Sequence, residues 1–265
     1  MTRLDDTPVP DYANRLRLDG RRFIVIGAGQ GIGRQASHAL AANGARLVTV
    51  DVDPDLATDI AAEVGAVPWS GDATNRDDVE RLFADAAREL GGIDGFVDIV
   101  GISRFVDLVD YTDEEWDWHF DMSLRHAFLA MQYGAKAMAE HGGVMVFVAS
   151  VSGMTGAPRH AAYGAAKAGL MSLVRSGAVE LGPLGIRVNA VAPGVVWTPR
   201  VSGYLGEAGE KRNSDNAPLG RVALPADIAS ALLFFASDLA GYVSGQVLSV
   251  DGGVGAKFPY PMDGL

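Results

Sequence analysis

The segment that most restricts the fold is a short apolar run, Phe23-Ile-Val-Ile26. It enters Gly27-Ala-Gly-Gln-Gly31-Ile-Gly33 and continues in helical periodicity through Leu40. A buried strand, a glycine-rich turn and a helix in that order form the first half of a βαβ unit. Glycines let the backbone turn sharply and approach a diphosphate. The helix start behind them offers free N–H groups and the positive end of a helix dipole. A second apolar run, Arg46-Leu-Val-Thr-Val50, ends at Asp51, eighteen residues beyond Gly33. A carboxylate there accepts hydrogen bonds from both ribose hydroxyls of an adenosine and repels a 2′-phosphate, so NAD is expected in preference to its phosphorylated form.

The same alternation runs along the chain. Strands are expected near 22–27, 46–51, 66–70, 95–100, 143–149, 186–191 and 246–250. Helices are expected near 31–43, 54–64, 75–90, 113–140, 161–181 and 225–237. Right-handed crossovers then build a single α/β domain, a doubly wound parallel seven-stranded sheet of Rossmann type. A ligand is expected across the carboxyl ends of the strands, where Gly27, Asp51, Gly101, Ser150 and Pro193 emerge. Residues 1–17 read as an N-terminal extension. The segment 199–220, rich in glycine and charge, interrupts the pattern and is expected as a long functional loop.

Further chemistry lies in Tyr163-Gly-Ala-Ala-Lys167, with Ser150 thirteen positions upstream at the end of the apolar run Gly143-Val-Met-Val-Phe-Val-Ala149. Residues i and i+4 share a helix face, so the ammonium is expected beside the phenol, lowering its pKa toward neutrality. A phenol so tuned exchanges a proton with an alcohol or carbonyl oxygen, and the Ser150 hydroxyl can address the same oxygen. Taken alone, such a pair reads more readily as a solvated helix face.

Taken together, these residues resemble the short-chain dehydrogenase/reductase family from about Leu18 to Gly253. The resemblance implies Ser150, Tyr163 and Lys167 as catalytic residues, with Ser123 in the place of a fourth, an asparagine that anchors a water in a proton relay. It implies cofactor contacts from Gly27, Gln30, Gly31, Ile32, Gly33, Asp51, Asp72, Ala73, Val100, Gly101, Tyr163, Lys167, Pro193, Gly194, Val196 and Thr198. Asp72 matches the aspartate at the adenine, and the stretch Pro193 to Thr198 matches the one that binds the nicotinamide carboxamide. It further implies a substrate lid over 199–220 and a homotetramer packed through the helices near 113–140 and 161–181. Small and apolar residues there, Ala127, Ala130, Ala166 and Leu170, suit close helix packing. Two positions depart from the family. Its Asn-Asn-Ala-Gly is here Asp98-Ile-Val-Gly101, and its catalytic asparagine is Ser123. An ionised Asp98 accepts hydrogen bonds but donates none.

The implied activity is NAD-dependent interconversion of a secondary alcohol and a ketone on a small, fairly apolar and possibly cyclic molecule. Phe105, Met154, Trp197, Tyr204 and Leu205 are expected to line its pocket, with His160 at the edge. Two alternatives stand beside it, a 3-oxoacyl thioester reductase and a low-turnover NAD-binding regulator. A formal charge of −11 over 265 residues argues against nucleic acid and anionic membranes as partners. With no cysteine, disulfides and thiolate metal sites are excluded, and the five histidines show no metal-ligand spacing. No apolar run approaches a bilayer span and the first twenty residues do not form a signal peptide, so a cytoplasmic location is the default expectation.

Overall fold

In the computed structural model, residues 7–258 are described. The tail Lys257 to Met262, which the sequence suggests either docks on a neighbouring subunit or frays, lies outside them from Pro259 onward. Seven strands form one parallel sheet: β1 Arg22–Ile26, β2 Arg46–Asp51, β3 Val67–Ser70, β4 Gly95–Asp98, β5 Gly143–Val148, β6 Ile186–Pro193 and β7 Val247–Val250. Their order in space is β3-β2-β1-β4-β5-β6-β7, so the chain reverses direction across the sheet between β1 and β4. The helices are α1 Gly31–Ala42, α2 Pro54–Val64, α3 Arg76–Leu90, α4 Asp113–Phe120, α5 His126–Met138, α6 Ala161–Leu181, α7 Pro199–Asn216 and α8 Pro225–Ala236.

Strand side chains alternate between the two faces, and each face has its own core. Phe23 and Val25 join Leu47, Val97, Val144 and Val146 on the face covered by α1 and α8, against Leu40, Ile228, Leu232 and Phe235. Ile24 and Ile26 join Val48, Val50, Phe96 and Phe147 on the face covered by α3, α5 and α6, against Leu82, Leu129, Leu170 and Val174. There the rings of Phe83, Phe96 and Phe147 meet edge to face, with centroids 5.7 and 5.4 Å apart. Short polar caps fix where the helices begin. The Asp53 carboxylate accepts the N–H groups of Asp55 and Leu56 ahead of α2, and Asn75 does the same for Asp77 and Asp78 ahead of α3.

Three expectations need correction. The helix expected over 113–140 is broken between α4 and α5 by a wider, π-type turn at Asp121–Arg125. Such a turn re-aims the residues it contains, and here it leaves Ser123 fully buried. The segment 199–220 is mostly helical, as α7. Thr198 caps it by accepting the Val201 N–H, and Pro199 occupies its first turn. It is interrupted at Gly206, whose backbone (φ 59°, ψ −179°) is open to glycine alone. Finally, Ala127, Ala130, Ala166 and Leu170 are buried within the protomer and cannot meet a second copy. The exposed large apolar residues of α5 and α6 are Phe128 and Val179, and Ala165 and Ala168 of α6 are exposed as well. Among the described residues, no helix is long and apolar enough to cross a membrane.

Candidate active site

A cleft of about 690 Å³ opens along the carboxyl ends of the strands, where the sheet order reverses and α/β sheets hold their ligands. The turn from β1 to α1 forms one wall. Gly27 and Ala28 donate to the Val50 carbonyl at 2.9 and 2.8 Å, tying the turn to β2. A Cβ on Gly33 would lie 1.9 Å from the Gly27 carbonyl oxygen, so only glycine lets the helix pack this close to the strand. Gly31, with φ 57°, starts α1 and faces the Thr198 methyl group at the start of α7. Two helix N-termini therefore border the same part of the cleft, which suits an anionic diphosphate.

Asp51 closes β2. One carboxylate oxygen accepts the Gly29 N–H at 3.0 Å, the other the Asp53 N–H at 3.1 Å. These bonds fix the carboxylate, and each oxygen keeps a further lone pair for a ligand hydroxyl. Asp72 is held by the Thr74 N–H and hydroxyl, which both donate to its Oδ1 at 2.8 and 2.7 Å.

At the other end β5 delivers Ser150, and α6 delivers Tyr163 and Lys167. Lys167 is 1% exposed. Its Nζ donates to the Val148 carbonyl at 2.8 Å and the Val100 carbonyl at 3.3 Å. Burial brings its pKa down to about 8, and the nearby Asp98 carboxylate works against that fall. The expectation that Lys167 pulls the phenol toward neutrality is not met in this arrangement. Its Nζ lies 5.9 Å from the Tyr163 ring centroid. Burial pushes the Tyr163 pKa up, a hydrogen bond with Ser150 acts the other way, and Tyr204 adds to the rise. Burial is the largest of these influences.

The mouth beside Tyr163 is aromatic. The Phe105 ring lies 4.6 Å from His160 and 5.5 Å from Tyr204, and His160 lies 5.6 Å from Tyr163. His160 is pushed toward its neutral form, first by burial and then by His119. Phe105, Tyr204, Leu205 and His160 line the cleft as expected, whereas Met154 and Trp197 are not among its lining residues. The Met154 sulfur instead accepts the Ser249 hydroxyl.

Of the residues expected from the sequence, Gly27, Gln30, Gly31, Ile32, Asp51, Asp72, Ala73, Val100, Gly101, Ser150, Tyr163, Lys167, Pro193, Gly194, Val196 and Thr198 all line this cleft. Gly33 and Ser123 do not. Gly33 acts from behind, through helix packing, and Ser123 Oγ is buried without a protein hydrogen-bond partner. Sequence reasoning missed His126, whose Nδ1 meets Asp98 Oδ2 at 2.8 Å in the interior. Nothing in the spacing of the two residues, 28 positions apart on different elements, announces that pairing.

Sheet, glycine-rich turn and Ser-Tyr-Lys cluster together define a dinucleotide-binding oxidoreductase. A family model described as enoyl-(acyl carrier protein) reductase matches residues 27–255. The chain belongs to the short-chain dehydrogenase/reductase family. It is 38% identical to L-rhamnose 1-dehydrogenase (NAD(P)(+)) of Azotobacter vinelandii over 89% of this chain and 97% of that one. It is 34% identical to the 3-oxoacyl-[acyl-carrier-protein] reductase FabG of Thermotoga maritima, over 90% and 99%. A solved 7α-hydroxysteroid dehydrogenase, complexed with NADH and 7-oxo glycochenodeoxycholic acid, superposes with a TM-score of 0.88 at 31% identity, covering 91% of this chain and 96% of that one. The protein is thus an oxidoreductase of the NAD(P)-binding type acting on CH–OH groups.

Proposed function

We propose that the protein is an NAD-dependent enzyme that interconverts a secondary alcohol and a ketone on a fairly apolar, cyclic substrate, and that it works as a homotetramer. The observation that carries this reading is the convergence of Ser150, Tyr163 and the buried Lys167 on one cleft, beside an aromatic mouth. Preference for NAD rests on Asp51, fixed by two backbone N–H groups at the end of β2. The glycine turn and the start of α1 would hold the diphosphate, Asp72 and Ala73 the adenine side, and Pro193 to Thr198 the nicotinamide side. Bound NAD supplies the hydride acceptor for oxidation and, reduced, the donor for reduction.

The chain's own residues handle the proton. In reduction, Tyr163 gives its proton to the carbonyl oxygen; in oxidation, its phenolate takes the proton from the hydroxyl. A phenol whose pKa is raised by burial is a competent acid but a poor base, so the oxidation direction needs Lys167 closer to the hydroxyl than in this arrangement. Ser150 donates to the substrate oxygen and orients it. Ser123 Oγ, buried without a protein partner among the described residues, is free to hold a water. Phe105, Tyr204 and the neutral His160 offer flat faces and no charge, which favours an uncharged ring as substrate.

Reduction of a 3-oxoacyl thioester is the second reading, supported by the Thermotoga relative; the fixed carboxylate at Asp51 weighs against it insofar as it needs the phosphorylated cofactor. A screen of cyclic, aryl-aliphatic, steroid-like and acyl-thioester substrates, with both cofactors and in both directions, decides between them. Turnover of cyclic ketones with NADH is expected. Turnover confined to thioesters with NADPH would overturn the proposal, and no turnover on any of them would favour an NAD-binding regulator.

A further inference from the structure

β4 ends on Asp98, a carboxylate that is 1% exposed. One of its oxygens accepts the Val100 N–H at 3.0 Å, and the other accepts from Nδ1 of His126 at 2.8 Å. His126 is the first residue of α5, directly after the wider turn, and is likewise 1% exposed. Its Nε2 is buried without a protein partner. A cationic imidazole would place an N–H at that unpartnered nitrogen, at a steep desolvation penalty. The hydrogen bonds therefore assign His126 as neutral, with its proton on Nδ1, and Asp98 as the charged member.

The charge matters because of what lies across one residue. The Val100 N–H points to the Asp98 carboxylate, while the Val100 carbonyl accepts from Lys167 Nζ. The anion thus holds the N–H of the peptide before Val100 and the cation the C=O of the peptide after it, so one residue's backbone lies between the two charges. The ionisable groups near this centre come from three elements: Asp98 from β4, His126 from α5, and Lys167 with Tyr163 from α6. His119 of α4 is turned away, toward His160 and the Arg104 backbone.

We propose that Asp98 is the buried counter-ion of Lys167, linked to it through the backbone of Val100 and held in place by His126. It is a positioning residue, acting on the lysine and not on substrate. The ion-pair assignment stands whatever the substrate, whereas its bearing on turnover rests on the oxidoreductase reading above.

The test compares urea unfolding of the full-length parent and Asp98→Asn between pH 6.5 and 9.5. Asparagine keeps the volume and one oxygen for the Val100 N–H. A lysine whose folded pKa lies below its unfolded value destabilises the fold while protonated. Stability therefore rises as pH climbs through the folded pKa toward the unfolded one. Removing the counter-ion lowers the folded pKa of Lys167 further, so D98N is penalised most below pH 8, and the gap to the parent closes above it. The ratio of the two unfolding constants is expected to shrink about tenfold across this range, the equivalent of about one pKa unit. A gap that does not change with pH, as loss of a hydrogen bond alone would leave, overturns the proposal.

Should D98N fail to fold, His126→Leu and His126→Asn carry the test. The leucine removes the donor that holds Asp98, and the asparagine can restore one. H126L should reproduce the pH-dependent gap in part and H126N should reduce it; identical pH dependence in the two overturns the role of His126. In turnover, the alkaline limb of kcat/KM for reduction should move down by about one unit in D98N. A limb that stays in place while the unfolding gap closes would refute the catalytic half. An inactive parent would sink the oxidoreductase reading and leave the unfolding result standing.

Discussion

The proposed preference for NAD rests on Asp51, and its expected size follows from the surroundings of that carboxylate. Its carboxylate is pinned by the Gly29 and Asp53 N–H groups, so it cannot swing aside to admit a 2′-phosphate. At an effective dielectric of about 20, unit charges about 4 Å apart repel by about 4 kcal/mol. Solvent screening of a half-buried carboxylate cuts that to about 1–2 kcal/mol. The phosphorylated cofactor also forgoes a ribose hydrogen bond to a charged acceptor, about 1.5–3 kcal/mol. The sum, about 2.5–5 kcal/mol, corresponds to a preference of roughly 70–5000-fold in kcat/KM for NAD. Asp51→Asn removes the charge but keeps one acceptor, and should reduce the preference to about tenfold. Combining Asp51→Ala with Val52→Arg should carry it toward the phosphorylated form, since Val52 is 72% exposed and leaves room for a guanidinium. Steady-state kinetics with both cofactors at saturating substrate provide the comparison. If the parent uses the two within about threefold, or if D51N leaves the ratio unchanged, the electrostatic argument fails.

Tyr163→Phe should lower turnover by at least about 100-fold with NADH affinity kept within a few-fold, because the phenol moves a proton and holds little of the cofactor; residual activity above about one per cent would remove Tyr163 from the acid/base role. Gly33→Ala puts a Cβ 1.9 Å from the Gly27 carbonyl oxygen. It should destabilise the fold by about 2–3 kcal/mol despite the helix preference of alanine, with nucleotide affinity falling alongside. An unchanged thermal midpoint would mean that α1 and β1 are not packed as described. The assembly should elute near four times the 27.8 kDa chain mass, and a monomer at micromolar concentration would refute the tetramer.

Most of the strand framework was legible because parallel strands buried on both faces read as apolar runs, and β1, β2 and β5 begin or end within a residue or so of their expected limits. The broken helix was not legible. Asp121-Met-Ser-Leu-Arg125 has ordinary helical composition, and one extra residue in a turn leaves no mark on a 3.6-residue period. The helix α7 was missed for a different reason. Glycines at 203, 206 and 209 suggested a loop, while Thr198-Pro199, a good cap followed by proline, carried the start signal. Only Gly206 breaks the helix. In the site, residues at strand ends could be placed from the sequence because topology alone gathers them. The phenol's pKa could not be inferred from spacing, since desolvation depends on everything packed around the ring, and the Asp98–His126 pair depends on a tertiary contact that only the folded chain creates.

The aromatic mouth has a consequence for how this scaffold can diversify. Phe105 lies on the connection after β4 and Tyr204 in the first turns of α7. Both are substantially exposed, and neither belongs to either of the two cores. The nucleotide end is different: its glycine turn and strand ends are locked into the sheet itself. Exchanging side chains at 105 and 204 therefore alters which molecule is welcomed while leaving the foundation of the domain untouched, and a lineage can explore new substrates there without first acquiring extra stability.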